Sequence, residues 1–403
     1  MNKKVVVIGG GIAGMTAAGA LAELGIDVVL LEKEAITGGH VKNWDRLFPN
    51  RRPGEEVIDF IGKKMGAGVE IQYGKQVISI NHEDHVFSIQ TADSEMQNAN
   101  SEMQNANGKL QNANGKMQNA SSKMQNANGE MQNANGKLQN ANGKMQNANS
   151  KMQNAGSELL TADSIVLATG YELFDARRKE EYGYGIYDNV ITSAELEAKF
   201  KEGKMITTHD GKTPKRVGII HCVGSRDEKV GNLYCSKVCC VTGVKQAIEI
   251  REMLPECEVY SFYMDLRMYD RNFEELYYEA QQKWGVNFIR GRLSECAEKP
   301  DHSLVLKTED TLSGRPLKMT VDMMVLLVGF IPRPETRKIA TMLGLASGPD
   351  GFLLSADEHF QDNSASIAGV FLAGAVKGPA CIVNTIADAR ATAMQVKAYL
   401  EAR

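Results

Sequence analysis

The sequence predicts an α/β protein with two Rossmann-like dinucleotide-binding domains and an insert of seven-residue repeats. A glycine-rich strand–helix–strand unit at 5–32 indicates the first domain. A second alternation of apolar strands and helices, between 215 and 290, indicates the second domain. The expected segments are 1–95, 159–175 and 323–403 for the first domain, 176–322 for the second, and 96–158 for the repeat insert.

The first nucleotide-binding unit is defined by its glycines and by the elements on either side of them. A run of apolar residues, Val5–Ile8, predicts a buried strand, and an alanine-rich helix follows over Met15–Leu24. Glycines between them let the backbone turn tightly and approach a pyrophosphate, whose charge the helix N-terminus stabilises. An acidic residue at the end of the next strand can bind a ribose hydroxyl. The predicted dinucleotide contacts are Gly9, Gly11, Gly14, Glu32 and the adjacent Lys33.

Three later segments indicate FAD as the dinucleotide. A glycine doublet follows the acidic residue, and two apolar strands end in glycine near 170 and 374. The set resembles the thioredoxin reductase and glutathione reductase superfamily of flavoproteins. The resemblance assigns to FAD the residues Gly38, Gly39, His40, Val77, Ala168, Thr169, Gly170, Gly374, Ala375 and Thr385. Most of that superfamily has Asp in place of Ala375, for the flavin ribityl chain, so this contact must be replaced here.

Composition and charge restrict the class of protein. The chain has 403 residues and a net charge of −4, which gives no indication of nucleic-acid binding. No apolar run reaches the ~18 residues that a membrane span needs. The first strand begins at Val5, so we expect no signal peptide. Seven cysteines, an odd number, fit a reducing cytoplasm better than a disulfide framework.

The insert at 96–158 consists of nine copies of Met/Leu-Gln-Asn-Ala-Asn-Gly/Ser-Lys/Glu, with small variations. The same four residues, Thr-Ala-Asp-Ser, bracket it at 91–94 and 161–164, which predicts a tandem expansion within one hairpin. Disorder fits its low hydrophobicity. A helical hairpin with Met or Leu at heptad position a, and a stack of short strands that turn at Asn-Gly, are the folded alternatives. We assign the insert no chemistry.

The second domain lacks the glycines that a nicotinamide nucleotide requires. Its first strand, 215–222, leads into Cys222-Val-Gly-Ser-Arg226, which keeps a single glycine. We therefore expect no nicotinamide site in this domain. Three further apolar segments, 304–307, 318–321 and 323–328, are expected to be strands that return to the FAD-binding domain.

Four cysteines begin where those glycines are missing, in the pattern C-x12-C-x3-C-C. They come from a predicted strand end, a loop and a helix start. The pattern is compatible with a [4Fe–4S] cluster, a redox disulfide, a zinc ion or ordinary buried cysteines. The candidate ligands are Cys222, Cys235, Cys239 and Cys240. The isolated cysteines, which we expect in the core, are Cys257, Cys296 and Cys381.

The residues around this pattern resemble the heterodisulfide reductase A-subunit family. The similar segments are Cys-Val-Gly-Ser-Arg-Asp at 222–227 and Tyr-Cys-Ser-Lys-Val-Cys-Cys at 234–240. In that family the four cysteines bind a [4Fe–4S] cluster beside the FAD. The stretches 258–292 and 384–390 look closer still to the A subunit of the quinone-interacting membrane-bound oxidoreductase complex of sulfate reducers. The chain lacks the additional ferredoxin-type cysteine runs of longer family members, which favours this shorter relative.

The resemblance implies an FAD and iron–sulfur electron-transfer subunit of a membrane-associated oxidoreductase complex. It would relay electrons between a quinone module and a soluble sulfur-metabolism reductase, with adenylylsulfate reductase the expected partner. The protein would be cytoplasmic and would reach the membrane peripherally, through partner subunits. Two alternatives stay open, a stand-alone NAD(P)H-dependent FAD disulfide reductase and a flavin-containing scaffold without turnover. No catalytic residue is assigned.

Overall fold

The computed structural model describes residues 3–94 and 157–403. The strands are β1 Lys4–Ile8, β2 Asp27–Glu32, β3 Arg46–Leu47, β4 Arg52–Pro53, β5 Val69–Tyr73, β6 Lys75–Glu83, β7 Val86–Asp93, β8 Glu158–Ala162, β9 Ser164–Leu167, β10 Tyr171–Leu173, β11 Val190–Thr192, β12 Arg216–Val223, β13 Glu258–Tyr263, β14 Asn287–Arg290, β15 Glu295–Glu298, β16 Leu304–Asp310, β17 Arg315–Val321, β18 Met323–Val328, β19 Phe330–Pro332 and β20 Val370–Leu372. The α-helices are α1 Ile12–Glu23, α2 Gly54–Met65, α3 Ser193–Lys201, α4 Cys239–Met253, α5 Phe273–Gln282, α6 Pro334–Leu343 and α7 Ile382–Glu401.

The first sheet is parallel, in the order β20-β9-β1-β2-β5, and both of its faces are covered. In β1, Val5 and Val7 belong to the core formed with α1 and α7. Val6 and Ile8 belong to the core on the other face, which is covered by the antiparallel sheet β6-β7-β8. Because successive side chains point to opposite faces, a strand covered on both sides is apolar at every position. The predicted α/β fold with a Rossmann-like first unit is confirmed.

The repeat insert interrupts a hairpin of this antiparallel sheet. Strands β7 and β8 pair antiparallel, from Phe87 with Ala162 to Thr91 with Glu158. The insert therefore lies between the two paired strands of one hairpin, where the sequence predicted it. The three interpretations of the repeats concern residues 95–156, which lie outside the described residues.

The second sheet is also parallel, in the order β11-β18-β12-β13-β14. Its core on one face is shared with α3, α4 and α5. The other face is covered by the antiparallel sheet β15-β16-β17, where Leu304 and Leu306 pack with Ile220. The two domains therefore share one architecture, a parallel sheet between helices and a small antiparallel sheet.

Three segments expected to return to the first domain stay in the second, and that expectation is wrong. The residues 323–328 form β18, which pairs parallel with β11 and β12 in the interior of the second sheet. All six residues of β18 are buried, because both faces of this sheet are covered. Residues 304–307 and 318–321 lie in β16 and β17, which cover one of those faces.

The chain returns to the first domain through β19, which pairs antiparallel with the outgoing β10. Helix α6 follows and has no counterpart in the sequence predictions. It begins at Pro334, which suits the first helical position, and Gly344 ends it with a φ of +66°. In the described part of the chain, no helix combines the length and the apolar character that crossing a membrane requires.

Candidate functional site

A cleft opens at the carboxyl ends of β1, β2 and β9 and continues to α4 of the second domain. All of the residues predicted to bind FAD line this cleft except Gly14 and Gly374. Those two glycines serve close packing. A Cβ at Gly14 would lie 1.8 Å from the Gly9 carbonyl oxygen, and one at Gly374 would lie 2.6 Å from the Cβ of Ala13.

The turn after β1 has the geometry that its glycines predict. Gly9 has a φ of +109°, and a Cβ there would lie 2.5 Å from the Ala168 carbonyl oxygen. Gly11 differs, because the nearest atom to a Cβ there is the Cα of Gly39, at 3.9 Å. The turn is therefore closed against β9 and open toward the cleft at Gly11, beside the N-terminus of α1. This is the arrangement that admits a pyrophosphate.

Glu32 is fixed by the backbone on both sides of its carboxylate. Its Oε2 accepts from the Gly10 N–H at 2.7 Å, and its Oε1 accepts from the Glu34 N–H at 2.9 Å. The side chain is buried, and it faces the cleft. Lys33 turns its amine to Glu335 of α6, at 2.7 Å. The structure therefore places Glu32 at the ribose position and engages the Lys33 charge in an ion pair at the rim.

An aromatic stack that the sequence analysis did not identify lines the middle of the cleft. The ring of Tyr171 stacks on His40 at 4.6 Å and on Phe330 at 3.6 Å between centroids. The Tyr171 carbonyl oxygen lies 2.9 Å from both His40 Nε2 and Arg333 Nε. Burial, and to a smaller extent the Arg333 charge, lowers the pKa of His40. Since a carbonyl can only accept, the neutral imidazole carries its proton on Nε2.

A buried charged cluster lies where the cleft meets the second domain. Lys245 of α4, 2% exposed, pairs with Glu197 of α3 and with Glu249 at 3.1 Å. It also donates to the Arg46 carbonyl oxygen at 2.9 Å. One ammonium therefore faces two carboxylates. Burial raises the pKa of Glu249 to about 8, against the opposing charge of Lys245. Isolated charged residues in helical segments gave no sequence signal for this cluster.

The predicted cysteine ligands come from the elements that the sequence indicated. Cys222 lies near the end of β12 with a φ of +59°, Cys235 lies in a loop, and Cys239 and Cys240 open α4. Three of the four are buried, and Cys235 is half-buried. The Sγ atoms of Cys222 and Cys239 are 3.9 Å apart. Cys239 also lines the cleft, so the cysteine cluster and the candidate flavin site share a wall.

The cysteines strongly influence one another's protonation. Contact with Cys239 lowers the pKa of Cys222, and it lowers the pKa of Cys240 to about 4 with help from His221. The pKa of Cys239 is raised by its contacts with the same two sulfurs. The group therefore favours thiolates at Cys222 and Cys240, and thiolates are the form that binds metal.

Two buried donors without partners favour an iron–sulfur cluster at this position. His221 Nδ1 and Arg226 Nη1 have no hydrogen-bond partner among the described residues. His221 lies beside Cys240, and Arg226 lies beside Cys222, where each can donate to a sulfur. In residues 3–94 and 157–403, no three cysteine sulfurs lie within 4.8 Å of one another, as a single ion would need. The residues present fit a cluster with one thiolate for each iron.

The three remaining cysteines are all buried, as expected for core residues. Cys381 has a second property, because it precedes α7 as its N-cap residue and lines the cleft. Thr385 and Ala375 line the same wall. The N-terminus of α7 therefore faces the cleft, where its dipole favours a negative charge.

Comparison with known proteins identifies relatives of the fold. The family model for pyridine nucleotide-disulphide oxidoreductases matches residues 96–395, and the model for NAD(P)-binding Rossmann-like domains matches residues 7–62. Thioredoxin reductase of Lactococcus lactis has a TM-score of 0.59 at 16% identity, and the match covers 100% of both chains. The T. acidophilum thioredoxin reductase has a TM-score of 0.58 at 16% identity over 100% of this chain and 99% of its own. At this identity the likeness shows the fold.

Curated relatives are closer in sequence. The A subunit of the H(2):CoB-CoM heterodisulfide,ferredoxin reductase of Methanothermobacter thermautotrophicus is 43% identical over 235 residues, 57% of this chain and 36% of the relative. The second of the A-type iron-sulfur subunits of CoB–CoM heterodisulfide reductase in Methanopyrus kandleri is 34% identical over 429 aligned positions, 100% of this chain and 65% of the relative. The chain therefore spans between about a third and two thirds of the length of these relatives.

Proposed function

The chain belongs to the pyridine nucleotide-disulphide oxidoreductase family, and from this premise we propose that it is the FAD and iron–sulfur electron-transfer subunit of a multi-subunit complex. As a member of this family with heterodisulfide reductase relatives, it is an FAD-dependent oxidoreductase. We propose further that it relays electrons between a quinone module and a soluble sulfur-metabolism reductase. That reductase resembles either adenylylsulfate reductase or heterodisulfide reductase, and partner subunits attach the chain peripherally to the membrane.

One observation carries the proposal: Cys239, a candidate cluster ligand, lines the same cleft as the residues predicted to hold FAD. When bound, the flavin exchanges electrons singly or in pairs, and the cluster exchanges them singly. A shared wall brings the two cofactors close enough for direct transfer. The half-buried Cys235 is the cluster ligand nearest to solvent, so the cluster is the side from which a partner protein would be reached.

The residues of this chain have distinct roles in the proposal. Glu32 binds the adenosine ribose, and the open turn at Gly11 admits the diphosphate at the N-terminus of α1. The N-terminus of α7 supports negative charge on the flavin. His221 and Arg226 donate to the cluster sulfurs and stabilise their negative charge. The buried position of the cysteines keeps water from the cluster.

A stand-alone NAD(P)H-dependent disulfide reductase is the alternative enzyme. It needs a nicotinamide site in the second domain, at the turn after β12. Gly224 is the single glycine there, and the Phe174 ring packs on it so closely that a Cβ would lie 2.1 Å from the ring. Val223 and Arg226 flank this position with larger side chains. The turn thus offers no open approach of the kind that Gly11 provides in the first domain, which favours the electron-relay function.

The proposal is tested with the full chain, reconstituted anaerobically with FAD, iron and sulfide. We expect about four iron atoms per chain, and Cys239→Ser should lose most of them and keep FAD. The matched control is Cys257→Ser, which alters a buried cysteine outside the cluster and should keep both cofactors. NADH and NADPH should reduce the flavin slowly or not at all. Rapid stoichiometric reduction by either nucleotide in iron-free protein would overturn the relay function, and protein with neither redox cofactor would indicate the scaffold.

A further inference from the structure

A second group of ligand-type side chains lies on the surface of the second domain, away from the cleft. Asp188, His209 and His302 each place a ligand atom within 4.8 Å of the other two. They come from the loop before β11, the loop before β12 and the turn between β15 and β16. None of the three lines the cleft. We propose that these residues bind a zinc ion.

The backbones that carry the two imidazoles are held together from below by a buried amide. The side chain of Asn189 is 4% exposed, and its Oδ1 accepts from the His209 N–H at 2.8 Å. Its Nδ2 donates to the His302 carbonyl oxygen at 3.0 Å. The Asn189 carbonyl oxygen also accepts from the Met324 N–H of β18, at 2.9 Å. Both histidines are thus tied through one residue to an interior strand, so their proximity is set by the fold.

The side-chain geometry agrees with a metal site. The His209 and His302 rings are 5.0 Å apart between centroids, and His209 Nε2 lies 3.5 Å from Asp188 Oδ2. His302 Nδ1 lies 3.4 Å from Glu298 Oε1, an oxygen that is buried and has no hydrogen-bond partner among the described residues. A carboxylate that accepts from one ring nitrogen orients the imidazole and leaves the other nitrogen for the metal. Glu298 therefore supplies the supporting carboxylate, and Asp188 supplies a direct ligand.

The ligand set selects the class of ion. Two imidazoles and one carboxylate suit Zn²⁺ and neighbouring late transition metals, whereas Mg²⁺ and Ca²⁺ prefer oxygen ligands alone. Three protein ligands leave the fourth zinc position to water. The ion would join the β15–β16 turn to two loops of the parallel sheet. Binding to the folded state alone would raise the thermal stability of this domain.

The test uses the full chain loaded with FAD and iron, so that the four cluster cysteines are occupied, and titrates it with Zn²⁺ in a calorimeter. The test variant is H209Q/H302N. Asn is chosen at 302 because it tolerates the φ of +61° there. We expect one zinc equivalent in the parent, binding at least about tenfold more weakly in the variant. The melting temperature should rise with Zn²⁺ in the parent and stay constant in the variant.

The matched control is His359→Gln, which removes an exposed imidazole at a distant turn and should leave zinc binding unchanged. If H209Q/H302N does not fold, Asp188→Asn is used in its place, because that exposed side chain has no role in the core. The proposal is overturned if the parent binds no more zinc than the variant, or if Mg²⁺ at the same concentration stabilises both equally. None of these results depends on the presence of a quinone or sulfur-metabolism partner.

Discussion

Arg226 Nη2 donates to Asp265 Oδ2 at 2.7 Å, and this ion pair holds the guanidinium beside Cys222. Nη1 of the same guanidinium is buried and has no partner among the described residues. A positive charge and an N–H donor next to an iron–sulfur cluster stabilise its reduced form, which carries the additional electron. Arg226 is therefore expected to raise the reduction potential of the proposed cluster.

Arg226→Gln should lower this potential by about 60 mV, which corresponds to about 1.4 kcal/mol for one electron. The measurement is a redox titration of the reconstituted protein followed by electron paramagnetic resonance. Arg290→Gln is the matched control, because Arg290 pairs with the other oxygen of Asp265 at 3.3 Å and is more exposed. The control should keep the parent potential. An equal shift in both variants would assign the effect to Asp265 or to net charge.

Glu32→Ala should weaken FAD binding by about 1–3 kcal/mol, the scale for losing a charged hydrogen bond. The carboxylate is buried at the cleft and already accepts from two backbone N–H groups, so its removal also leaves those donors without their partner. FAD affinity is measured by fluorescence titration of the apoprotein. Glu70→Ala, at an exposed position of the neighbouring β5, is the control and should bind FAD like the parent. Equal affinities in the two variants would remove Glu32 from the site.

The first domain could be predicted because its determinants are local. Gly9 and Gly14 lie within one turn, and the close contact between them depends on residues five apart. The cysteine ligands were identified for a similar reason, since their types and spacing form a pattern. The elements that bring Cys222 and Cys239 together are also close in the sequence.

Features that depend on distant pairing could not be predicted. The apolar run of β18 shows that the strand is buried but does not specify the sheet, and its partners are chosen by the fold. The stack of His40, Tyr171 and Phe330 joins residues more than a hundred positions apart, none of which belongs to a periodic pattern. Lys245 was missed because a lysine in a helix is normally exposed.

Glu249 should make the stability of the protein depend on pH in the neutral range. Burial raises its pKa in the folded state to about 8, above its ordinary value of 4.5. The stabilisation is therefore complete below about pH 4.5 and is lost as the pH rises through 8. In Glu249→Gln this loss is absent. The unfolding free energy of the variant relative to the parent should therefore increase by about 1–2 kcal/mol between pH 6 and 8.5.

Denaturant titrations at the two pH values measure this difference. Glu256→Gln provides the control, since that carboxylate is exposed and its replacement should give the same small effect at both pH values. A difference between Glu249→Gln and the parent that is constant with pH would show that Glu249 is ionised throughout this range and is fully compensated by Lys245.

The repeats should be dispensable for FAD binding. Thr91 and Glu158 are register partners on β7 and β8, so the hairpin is complete without residues 95–156. We propose to join Ser94 to Ser157 through Asn-Gly, a sequence that favours a tight turn. The shortened chain should keep the parent's FAD affinity and unfold within about 1 kcal/mol of it, because loop length enters the closure entropy only logarithmically. Fluorescence titration and denaturant unfolding provide the two measurements.

Two neighbouring leucines test the register on which this deletion depends. Leu160 is 7% exposed and packs in the same core as Phe87 and Ile89, whereas Leu159 is 67% exposed on the opposite face of β8. In the shortened chain, Leu160→Asp should cost about 3 kcal/mol or more, since it buries a carboxylate in an apolar core. Leu159→Asp should change stability by less than about 0.5 kcal/mol. Equal costs would show that β8 had shifted by one residue, and loss of FAD on deletion alone would give the repeats a structural role.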